Sequence, residues 1–192
     1  MTQRNSKTGQ LTLNDVDLGI RLFEALAQHA TASGGAPIAL ASLLTLGRKM
    51  YPKDVALDRA VPLGVPAKLG FIASFCAANG FPNLASLAMA DSSALPAAEP
   101  SIAAFDWSGA RERLRAYAEM ARATVPKRLK PRKERPADVT WYAYFCSHRE
   151  TCAQLDGEDK KEIINLLMAG LDPETAMQRV LHEKAELKRL VV

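Results

Sequence analysis

Residues 125–138, VPKRLKPRKERPAD, limit what this chain can fold into more than any other stretch. Pro126, Pro131 and Pro136 recur every fifth position. Each fixes φ and removes a backbone donor, so neither a helix nor an inner strand can run through the segment. Lys127, Arg128, Lys130, Arg132, Lys133 and Arg135 crowd the same span, and Glu134 alone opposes them. The 192-residue chain is thereby divided into a flexible N-terminus at 1–13, a first folded part at 14–124, a basic linker at 125–137 and a second part at 138–192.

The linker also carries the charge. Residues 127–136 hold six cations and one anion, net +5, whereas the whole chain is +4, so the remainder sits at −1. A basic balance of this kind points to a polyanionic partner, and the segment that provides it is ten residues long. Six cations on an extended strand can follow a phosphate backbone. They can equally meet an acidic protein surface.

Elsewhere the punctuation is helical. Asn14 or Asp15 can cap a first helix whose Leu18, Leu22 and Leu26 lie beside Ile20, Phe23 and Ala27, with Gly34-Gly35 as its stop. Pro37 can open a second, ended by Pro52, and Pro66 a third, ended by Asn79-Gly80. LASLAMA at 84–90 reads as a strand. A fourth helix is expected from Asp106. Beyond the linker, Asp138 and Asp156 can cap helices, and Pro173 opens the last. With apolar residues at 48% and aromatics at only 6%, alanine-rich helix packing is favoured over a β-sandwich. The expected fold is mainly α: a helix-turn-helix-like N-terminal domain with one or two short strands, plus a small C-terminal three-helix bundle.

Three helices followed by a strand within about 75 residues is the order of a helix-turn-helix unit with a wing. LGFIASFCAANGFPNLASLAMADSSALP and FDWSGARERLRAY carry a further likeness through Asn79-Gly80, Pro82, Leu84, Leu87 and Trp107. Over residues 17–120 the chain resembles small helix-turn-helix-like domains of bacterial plasmid, phage and restriction-linked proteins. That resemblance implies an accessory role on a mobile genetic element and supplies no catalytic residues. The stretch YPKDVALDRAVPLG departs from it, standing where a tight turn belongs. On the third helix, Lys68, Ser74 and Asn79 are the polar side chains expected to face outward, and Lys68 joins the linker cations as a candidate nucleic-acid contact.

Enzyme signatures are missing: the sequence has no P-loop, Gly-x-Gly-x-x-Gly, Gly-x-Ser-x-Gly or His-Glu-x-x-His, and no catalytic residue, cofactor or metal site is expected. In CSHRETC, His148 and Cys152 stand at i,i+4 while Cys146 points elsewhere, a pattern that core thiols and a surface imidazole explain. Trp141, Tyr142, Tyr144 and Phe145 follow the basic run at once. Helical spacing puts Trp141, Tyr144, Phe145 and His148 on one face, as core anchors. Tyr142 falls off that face, a candidate for stacking under a base of a single strand. No apolar run reaches the roughly 20 residues that span a bilayer. The N-terminus lacks the apolar stretch of a secretory signal. The expectation is a cytoplasmic, non-enzymatic protein that binds nucleic acid, DNA in preference to RNA, or else docks on an acidic partner of a conjugation, secretion or restriction apparatus.

Overall fold

Thr12 starts the fold. In the computed structural model, which describes residues 11–90, 98–126 and 137–191, its hydroxyl accepts from the Asp15 amide at 3.1 Å. Asp15 returns a carboxylate oxygen to the Thr12 amide at 3.0 Å. This capping box opens α1, Leu13–Ser33. The cap is therefore Thr12 rather than Asn14 or Asp15, and Asp15 is the third helical residue. Residues 11–13, expected in a fraying terminus, are ordered, with Thr12 wholly buried; residues 1–10 lie outside the described ones. Gly34 ends α1 in the left-handed region at φ 68°.

Pro37 introduces a two-residue strand β1, Ile38–Ala39, before α2, Leu40–Met50. The segment after α2, expected to be a looser stretch, holds α3, Val55–Arg59, capped by Asp54, and a single 3-10 turn at Pro62–Gly64. α4, Val65–Ala78, follows. Only part of 84–90 is extended: Leu84–Leu87 is a 3-10 turn, and Ala88–Met89 forms β2, paired in parallel with β1. Leu84 and Leu87 both point into the core, a three-residue interval that a 3-10 turn delivers and a strand does not. α5 is Pro100–Ala103, and α6 begins at Ala110, not Asp106, running to Thr124. Asp106 instead accepts from the Ser108 amide at 2.9 Å, which closes a turn before the helix. After the linker come α7, Ala137–Ser147, α8, Arg149–Cys152, α9, Gly157–Met168, and α10, Pro173–Val191. The fold is mainly α, and no helix among the described residues is long and apolar enough to cross a membrane.

Two apolar cores result. The first gathers α1, α2, α4 and α6 around Leu22, Leu26, Leu43, Phe71 and Phe75. Phe23 meets Phe75 and Trp107 edge-on, with centroids 5.3 and 5.6 Å apart, and Phe81 and Phe105 extend the ring cluster. The residues that carry the helix-turn-helix resemblance thus serve packing and turns: Leu84 and Leu87 are buried, Gly80 has φ 66°, and the Trp107 indole donates to the Ile102 carbonyl at 3.1 Å. The second core holds Trp141, Cys152, Ile163, Leu166, Ala176, Met177 and Val180.

Val61, which caps the 3-10 turn, and Leu63 within it belong to the second core as well. Residues 61–64 are therefore part of the surface onto which α9 and α10 pack. Beside it lies a buried cluster of charge. Lys68 on α4 is 3.0 Å from Asp15 of α1 and 3.5 Å from Glu162 of α9. Arg179 of α10 is 2.9 Å from Asp15 and 3.0 Å from Glu183. Gly64 makes room for this: a Cβ there would stand 2.3 Å from the Glu162 carboxylate.

The cluster holds three carboxylates against two cations, and its protonation follows. Burial pushes the Asp15 carboxyl up, but Lys68, Arg179 and the Thr12 amide outweigh it and lower the pKa to about 2. Glu183 goes the other way. Burial raises it despite Arg179 and Lys68, and its Oε2 has no hydrogen-bond partner among the described residues.

Candidate nucleic-acid interface

α7 begins directly after the basic run, and its sequence ADVTWYAYFCS spreads apolar side chains around the helix, with Asp138 in its first turn. A helix of that kind is normally enclosed. Here Trp141 is the one α7 side chain buried in the second core, at 5% exposure. Tyr144 stacks on the His148 ring at a centroid distance of 4.0 Å, and the His148 imidazole meets the Tyr144 carbonyl through Nδ1 at 3.0 Å. Burial and the nearby Glu174 raise the Tyr144 hydroxyl pKa. The remaining apolar side chains of the helix face out: Tyr142 is 69% exposed, Val139 51% and Phe145 37%. Of the face expected to anchor the core, Trp141 does so, while Phe145 stands at the edge of solvent.

These side chains border an open cleft of about 630 Å³ between α7 and α9. Trp141, Tyr142, Phe145 and Leu155 form its apolar walls, and Asp138, Asp156 and Lys160 stand among them. Asp156 is fully engaged. As the cap of α9 it accepts from the Glu158 and Asp159 amides at 2.9 and 3.0 Å, and its other oxygen takes the Lys184 ammonium at 2.8 Å. The Lys184 contact and these backbone donors lower its pKa to about 2. Asp138 lies in the first turn of α7 and is not its cap, since Ala137 is already helical.

Lys68 is not part of any such surface. It is 2% exposed, and the Asp15 and Glu162 carboxylates hold its ammonium. Ser74 and Asn79, the other polar residues expected to face outward on that helix, donate to the Gly70 and Phe75 carbonyls of their own helix at 2.8 and 3.0 Å. The linker cations Lys127, Arg128, Lys130, Arg132, Lys133 and Arg135 lie outside the described residues. Of the four arginines of α6, three are engaged within the fold, and Arg115 is exposed. Arg111 pairs with Glu24, Arg122 with Asp17 and Glu119, and Arg113 lies over the Phe81 ring at 5.6 Å.

Among the described residues no three His, Cys, Asp or Glu side chains are grouped to hold a metal ion. Cys76 and Cys152 are buried thiols, and Cys146 is an exposed one. Burial raises the pKa of Cys76, with an opposing hydrogen bond from Leu84, and that of Cys152. Neither is an activated nucleophile. No protein-family model, curated protein or solved structure matches the chain.

Proposed function

We propose that the chain binds single-stranded nucleic acid, with the cations of residues 127–136 on the phosphates and Tyr142 under a base. The observation that carries this is the division of the α7 rings: Trp141 secures the helix to its core, while Tyr142, two-thirds exposed, follows six residues in sequence after the segment that holds the chain's positive excess. Cations along the backbone and rings under the bases are the two components of single-strand binding. DNA is the favoured strand and the cytoplasm the favoured place of action. The role is that of a non-enzymatic accessory protein of a plasmid or phage, in line with the resemblance of residues 17–120. A second reading, a regulator docked on an acidic protein partner, draws on Val139, an aliphatic side chain exposed beside the same cleft.

The test is titration of a labelled single-stranded oligonucleotide. Replacing the six linker cations by Gln abolishes binding at moderate salt. Tyr142→Ala weakens it about tenfold, the loss of one ring–base contact, without changing the salt dependence. Binding that survives the Gln substitutions, or a nuclease-insensitive complex with a protein partner and none with the oligonucleotide, refutes it.

A further inference from the structure

We infer that the α7–α9 cleft seats one base of the bound strand and selects guanine. This rests on the single-strand reading above and adds to it a specificity. Besides its apolar walls, the cleft has two polar side chains that make no hydrogen bond or ion pair with a described residue: the carboxylate of Asp138 on α7 and the ammonium of Lys160 on α9. Asp156, the third, is occupied by its helix cap and by Lys184. The volume, about 630 Å³, lies within the range of about 300–1,000 Å³ typical of small-ligand sites.

An ionised carboxylate only accepts hydrogen bonds. Guanine alone among the bases presents two adjacent donors on its Watson–Crick edge, N1–H and the exocyclic amine, a bidentate match to Asp138. Adenine and cytosine set a ring acceptor beside their amine, and thymine flanks its single N–H with two carbonyls. A lone carboxylate would repel a polyanion, and Lys160 on the facing helix offsets that charge. Tyr142 supplies the exposed ring on which the base stacks. A second copy of the chain is a poor occupant, because it would bring together two segments of net +5 each.

The experiment compares oligo(dT) with the same strand carrying one central dG, dA or dC, and with free dGMP, by competition against a labelled strand. The dG-bearing strand is expected to bind about tenfold tighter than oligo(dT), with dA and dC near oligo(dT). Asp138→Ala removes the dG advantage while leaving oligo(dT) binding intact or slightly stronger, a pairing that neither misfolding nor lost charge attraction produces. Equal binding of all strands overturns the selectivity and leaves the single-strand reading standing. No binding of any strand at low salt overturns both. Binding of dGMP as tightly as the dG-bearing strand overturns the strand as occupant in favour of a free nucleotide.

Discussion

Replacing Lys68 by Met should cost this protein a large share of its stability, although Lys68 touches no surface. The ammonium is 2% exposed and serves Asp15 at 3.0 Å and Glu162 at 3.5 Å, both equally enclosed. Asp15 keeps Arg179 after the change, but Glu162 keeps only the Asn165 amide at 3.2 Å. Removing one partner of a buried ion pair costs about 3–5 kcal/mol, because it leaves a desolvated charge behind. At about 2–4 °C per kcal/mol for a chain of this size, Tm falls by roughly 6–20 °C. Urea unfolding at pH 7, followed by fluorescence of Trp107→Phe and Trp141→Phe backgrounds, measures the effect in each core separately. Because the cluster joins α1 and α4 to α9 and α10, both reporters should shift together. Adding Glu162→Gln to Lys68→Met should restore at least half of the loss. A loss under about 1 kcal/mol, or two reporters unfolding at different urea concentrations, would refute the claim that the charges bind the two cores into one cooperative unit.

Gly64→Ala should destabilise by about 1–3 kcal/mol through overpacking, since its Cβ would stand 2.3 Å from the Glu162 carboxylate; thermal melts check this, and a neutral result would mean that Glu162 moves freely. The pH dependence has two opposing parts. Asp15, with a folded pKa of about 2 against 3.8 unfolded, contributes about 2 kcal/mol that is present above pH 4 and lost as pH falls toward 2. Glu183, with a raised folded pKa, favours the folded state below pH 4.5 and loses that contribution as pH rises through its folded value. Glu183→Gln should therefore stabilise the protein at pH 7 and leave the acid limb unchanged in a series of urea melts.

Helix ends were legible because single residues decide them. Gly34, Asp156 and Pro173 act where they stand in the chain, and each is found at the expected boundary. Thr12 was missed because Asp15 is equally plausible as a cap until the reciprocal pair is seen. The charge cluster was legible at one member at most. Its members at 15, 68, 162, 179 and 183 look separately like surface charges, and Arg179 with Glu183 reads as an ordinary i,i+4 pair. The available signal was Lys68 itself, set in a helix apolar enough on every side to be enclosed. At the candidate interface, 3.6-residue spacing separated Tyr142 from Trp141 correctly. It could not show that Phe145 borders an open cleft, because that depends on where α9 lies.

The salt dependence of single-strand affinity tests the proposed function most directly. Six cations on phosphates give a slope of log K against log salt of about −4 for a single strand. The account predicts that slope for the intact chain and one near zero once residues 127, 128, 130, 132, 133 and 135 are Gln. A slope shallower than about −1, or one that the Gln substitutions leave unchanged, would contradict it.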